Sequence, residues 1–187
     1  MLFLAGCGSG SPKTIAFSEF REVDSFPLSR FEKDVRPPFK LELKKPFQIE
    51  FGRGSGWHGL ETIKLGNDGR VEVYRRDPDH RDSWVRADLT TSQNSLAEVV
   101  KAVDDCHLLS LHKGYHANVA DGTQWVLWFK QGQNEKSIYF NNHFPAEIQS
   151  FAKLLDAVLS REGLDKATWQ NSAGRQHEKE LWESIKR

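Results

Sequence analysis

The sequence is short of cysteine, and the little it has is not arranged as a framework. Only Cys7 and Cys106 occur in 187 residues, in unlike surroundings, which excludes a small scaffold held by disulfides. It also lacks any surplus of charge: 26 Lys and Arg balance 26 Asp and Glu. A neutral chain projects no long-range field toward nucleic acid or anionic lipid, so no nucleic-acid partner is expected. No run approaches the ~18–20 apolar residues of a membrane-crossing helix. Apolar residues make up 38% of the chain, below the ~45–50% usual in globular proteins, a range that also counts Gly. Some of the chain is therefore expected to be unpacked.

Catalytic signatures are missing as well. There is no G-x-S-x-G frame to expose a nucleophile at a strand–helix turn. Gly52, Gly54 and Gly56 alternate, but no helix follows to offer its N-terminus to a dinucleotide, so they read as a break after a strand. No cofactor is expected. Asp77, Asp79 and Asp82 lack the central Gly and closing Glu of a calcium loop. Seven histidines occur, and His112 and His116 are four apart, but no Glu-x-x-His frame accompanies them. A metal-dependent hydrolase using His58, His112 and His116 is the alternative function class, and a purely structural envelope protein is another. Cys106 falls near the end of a helical pattern and reads as a small core residue.

What the chain does contain begins at residue 1. The stretch Leu4-Ala5-Gly6-Cys7 resembles the lipobox of bacterial lipoproteins, in which the signal peptidase cuts before the Cys and the thiol is diacylated. The Gly/Ser-rich residues after Cys7 suit a flexible tether. Only six residues precede Cys7, short of the basic region and the ~7–15 apolar residues of a secretory signal, so a start upstream of Met1 is expected. The resemblance implies lipidation at Cys7 and a place on the bacterial cell envelope, held by its lipid. The alternative is a cytoplasmic protein with a chance apolar start.

Four regions follow: 1–7 as a truncated signal and lipobox, 8–45 as tether and linker, 46–161 as the folded domain, and 162–187 as a polar tail. The linker mixes prolines, charges and scattered Phe, with a strand expected over 39–43. Within the domain, Phe47, Ile49 and Phe51 alternate with polar residues as in a half-buried strand. Strands are predicted over 61–65 and 70–76, joined by a turn at Gly66-Asn67-Asp68-Gly69, and over 84–89. Ser95 and Glu98 suggest a capping box, and Leu96, Val99, Val100 and Val103 give a helix over 96–106. A long loop is expected over 112–122. The apolar run 125–129 predicts a central strand, with Trp125 and Trp128 on opposite faces. A strand over 136–140 returns, and Pro145 opens a helix whose stripe runs to Leu159. Residues 178–186 suggest a short helix carrying Leu181, Trp182 and Ile185. The order β-β-β-β-α-β-β-α implies an α+β fold, an antiparallel sheet of about six strands with both helices on one face.

Trp57 stands in the Gly-rich segment Gly54-Ser55-Gly56-Trp57-His58-Gly59. A large amphipathic aromatic on such a loop is a common binding anchor. The competing reading folds it back as a lid on the sheet edge. Trp57 and His58 are thus the candidate binding loop. Gly56-Trp57-His58-Gly59, Asp68-Gly69, the Leu-rich helix and its exit over 96–111, Asp121-Gly122 and the Pro-started helix over 145–159 together resemble a broad group of small bacterial domains. One branch, the emfourin type, inhibits thermolysin-like metalloproteases. The resemblance implies a non-catalytic, inhibitor-like role toward an envelope or secreted protein, with Trp57 and His58 as the blocking element.

Overall fold

The computed structural model describes residues 23–55, 57–80, 82–172 and 176–186. Cys7 and the first part of the expected tether lie outside the described residues. The fold is α+β. Its sheet has nine strands among the described residues: β1 Leu28–Glu32, β2 Phe47–Ser55, β3 Gly59–Gly66, β4 Arg70–Arg76, β5 Trp84–Thr90, β6 Gly114–Ala117, β7 Gln124–Gln131, β8 Asn134–Asn141 and β9 Gln170–Ser172. They are ordered β1-β6-β8-β7-β2-β3-β4-β5-β9. Every pairing is antiparallel except β6 with β8, so the sheet is mixed rather than purely antiparallel.

Alternation sorts the strands into two faces. Ile49, Phe51, Ile63, Leu65, Val71, Val73, Trp125, Leu127, Phe129, Ile138 and Phe140 form one buried cluster with helices α1 Gln93–Asp105 and α2 Ala146–Arg161. Each Phe or Leu so enclosed contributes ~1.5–3 kcal/mol through apolar burial. Helix α1 is capped by Ser92, whose Oγ accepts the Ser95 N–H at 3.2 Å, three residues before the expected cap. Ser95 instead turns its hydroxyl to Glu162, just past α2, and ties the two helices together.

The opposite face is covered by a third helix, α3 Gln176–Ser184, which the expected six-strand, two-helix layout left in the tail. Leu181 packs on Leu60 and Val126, with Trp128, Tyr139, Trp182 and Ile185 around them. Trp125 and Trp128 do lie on opposite faces, and α3 packs on the side of Trp128. Residues 164–172 and 176–186 are therefore part of the fold. Leu164 and Trp169 join the main cluster, and β9 pairs with β5.

Gly52 and Gly54 do not break β2, which runs on to Ser55. A Cβ at Gly52 would lie 2.6 Å from Leu181 Cδ2, and one at Gly54 only 2.1 Å from the Gly59 carbonyl oxygen. These positions need Gly so that α3 and β3 can approach the backbone closely.

The N-terminal segment is likewise more ordered than a linker. Its strand is β1, at 28–32 and not at 39–43, while Phe39, Leu41 and Leu43 dock in the core. Beyond β1, the buried Lys136 ammonium donates to Asp34 at 3.0 Å and to the Leu111 carbonyl at 2.6 Å. Burial alone would raise the Asp34 carboxyl. The Arg36 N–H and side chain, together with Lys136, outweigh burial and hold it at about 2. Strand β6 interrupts the loop expected over 112–122.

Candidate functional site

The topology collects loops at one end of the sheet. Strands β2, β4, β6 and β8 end there, and β1, β3, β5 and β7 begin there. This rim comprises residues 23–27, the β2–β3 hairpin, the β4–β5 loop, the β6–β7 loop and residues 142–145. Loops on a rigid sheet are the usual carriers of binding function.

Trp57 stands at the tip of the β2–β3 hairpin and is 75% exposed. It is not folded back as a lid. Its indole N–H donates to Asp121 Oδ1 at 2.9 Å. Asp121 is held in turn. It has φ +50°, a conformation that costs a non-glycine residue about 1 kcal/mol or more. Asn142, itself buried at φ +57°, accepts the Thr123 N–H at 2.9 Å. Between them Gly122 leaves room: a Cβ there would fall 2.0 Å from Asn142 Oδ1. The buried amide thus sets the β6–β7 loop, the loop sets Asp121, and Asp121 orients the indole. His58 is exposed beside it, and its backbone N–H donates to Ser55 Oγ at 3.1 Å.

A cleft of about 460 Å³ opens next to this hairpin. Its cause is a split in the sheet. Strands β3 and β4 pair only as far as Thr62 and Tyr74, although β3 begins at Gly59 and β4 runs to Arg76. The resulting wedge is lined from both faces, which brings together consecutive residues such as Arg75 and Arg76. On the helix side, Arg53 grips Asp156 of α2 with two hydrogen bonds of 2.7 Å, the strong forked geometry of guanidinium and carboxylate. Arg75 Nε donates to Glu61 Oε2 at 3.0 Å. Tyr74 and Trp84 supply aromatic walls. Burial pushes the Tyr74 phenol up, and the hydrogen bond it donates to Glu72 adds to this, so it stays neutral.

None of these charged residues stood out by motif. Their signal lay in strand phase. Arg53 continues the inward series Phe47, Ile49, Phe51, and Arg75 continues Val71, Val73. Asp156 sits among the buried residues of α2. A charge on an inward position must find a partner, and these do.

The histidine pair is not brought together. The His112 ring stacks on Phe31 at 4.5 Å and lies near Tyr115. His116, one residue on from Tyr115 in β6, points to the other face. There its Nε2 is 3.0 Å from Glu32 Oε1, and its ring meets Tyr139 edge-on. Among the described residues no group of three His, Cys, Asp or Glu is placed to hold a metal. Asp77 is buried and serves its own turn, accepting the Asp79 N–H at 2.9 Å and facing the His80 ring at 3.3 Å. Cys106 caps α1, and burial, with Asp105 and Glu147 nearby, pushes its thiol up, which disfavours the reactive thiolate. No family model matches the chain, and no curated protein matches it.

Proposed function

We propose that this chain is a non-catalytic binding protein of inhibitor-like kind, held at the bacterial envelope by a lipid on Cys7, and that it meets an envelope or secreted protein through the rim around Trp57. The observation that carries the reading is the display of Trp57. A solvent-facing indole is costly to leave in water, yet this one is held in place through Asp121 and Asn142. Pre-set aromatic anchors lose little freedom on binding and often dominate interface energies. His58 flanks it, as the emfourin-like pattern implies for a blocking element.

The test is a titration of the full-length protein against a thermolysin-like metalloprotease, followed by cleavage of a peptide substrate. Inhibition is expected, and Trp57→Ala should weaken it at least about 30-fold, as loss of a hot-spot aromatic does. Absence of inhibition would remove the inhibitor role. Inhibition indifferent to Trp57→Ala would move the contact surface elsewhere. Intact mass of membrane-extracted protein, compared with Cys7→Ser, checks the anchor: a diacylated chain beginning at Cys7 is expected in the parent alone.

A further inference from the structure

We propose that the wedge between β3 and β4 is the anion pocket of this rim, and that it takes a carboxylate borne on an apolar body. The group could come from an acidic side chain of the partner or from its C-terminus. The inference rests on the reading of the rim as a protein-binding surface and names the chemistry that surface recognises.

The arginines carry it. Among the described residues, Arg30, Arg36, Arg53, Arg70, Arg75, Arg86 and Arg161 each have a carboxylate within ion-pair distance. Arg76 is the exception. It is half-buried, it lines the wedge, and its Nε is buried with no hydrogen-bond partner. A partly desolvated guanidinium left this way is costly, and an arriving anion relieves the cost.

The surroundings select which anion. The wedge holds Arg53, Arg75 and Arg76 against Glu61 and Asp156, so its arginines exceed its carboxylates by one positive charge. One carboxylate neutralises that single excess charge, whereas a dianion such as a phosphate monoester would leave the partly desolvated wedge with an uncompensated negative charge. Ile63, Val73, Trp84 and Trp125 give the space an apolar lining, suited to the hydrocarbon that carries the acid. Trp84 lies directly opposite Arg76 across the β4–β5 pairing, so an aromatic flanks the cation.

The test uses three peptides with the full-length protein, read by tryptophan fluorescence and calorimetry. They are acetyl-Phe-Glu-Phe-amide, its Gln counterpart, and acetyl-Phe-Phe with a free C-terminus. At least one acid peptide should bind, and at least about tenfold more tightly than the Gln peptide, the scale of a charge-assisted hydrogen bond. Which acid binds identifies the source. Arg76→Ala and Arg76→Gln should both erase the preference, Arg76→Lys should keep part of it, and Arg70→Ala should leave it intact. Equal binding of Glu and Gln peptides, no binding of any acid at millimolar concentration, or a preference that survives both neutral variants would overturn the pocket. If the pocket fails while Trp57→Ala still abolishes protease inhibition, the binding reading stands without it. If acids bind but Trp57→Ala changes nothing, the rim reading fails instead.

Discussion

Glu50 lies on β2 beneath α3, buried to 8% exposure. Its carboxylate accepts from Gln48 at 2.5 Å and has Lys64 at 3.6 Å. Burial pushes it above the usual carboxylate range, Glu180 on α3 pushes it further, and Lys64 and Gln48 do not fully offset the two. Its folded pKa thus exceeds its unfolded one. At neutral pH the folded state carries the cost of a buried charge, and that cost disappears as pH falls through the folded pKa toward the unfolded value. Glu50→Gln should therefore stabilise the protein at neutral pH by about 1 kcal/mol. The advantage should shrink on acidification. Urea unfolding across a pH series checks this, and a gap that stayed constant with pH would show that ionisation of Glu50 is not its source.

At the scale of elements, the β2–β3 hairpin links backbone geometry to the displayed indole. The Gly54 Cα faces the Gly59 carbonyl across the pairing, and a methyl there meets backbone oxygen, which cannot swing aside as a side chain would. Gly54→Ala should splay the hairpin tip and cost about 1–3 kcal/mol. Inhibition should weaken although Trp57 is untouched. Parallel measurement of melting temperature and inhibition checks this, with loss of stability alone counting against a coupling between strand and anchor. The same hairpin shows what was legible beforehand. Strand β4 matches its expected range, and β3, β5, β7 and β8 lie within two residues of theirs at each end, because their apolar residues alternate cleanly or run together. Strand β1 was hidden since all five of its residues are exposed and leave no inward phase to read. Strand β6 is four residues long, and its parallel partner β8 is distant in sequence, so no local pattern announces it. Trp57 was visible by its company of glycines. The wedge was not, because it arises where two strands part, and separation of strands leaves no mark on either one.

At the scale of the whole molecule, the fold closes on residues that composition alone assigns to a tail. Leu164, Trp169 and α3 complete both buried faces. A chain ending at Arg161 should lose the cover of Leu60 and Val126 and open part of the main core. It should then behave as a compact, loosely packed state that binds a hydrophobic dye. Dye fluorescence and near-ultraviolet circular dichroism check this, and a native-like spectrum would show that α3 is dispensable. The other terminus has a different bearing. Val23, the first described residue, lines the wedge, and Phe26 is hydrogen-bonded to the Asn142 carbonyl, so the chain enters the fold at the rim itself. With the proposed anchor at Cys7, the point of attachment lies at the proposed binding rim and not at the opposite end of the sheet. Fifteen residues lie between Cys7 and Val23, and the sixteen Cα steps they make can reach no farther than about 58 Å when drawn out. The rim would then patrol a thin layer above the bilayer and meet partners arriving along the surface more readily than those in the bulk.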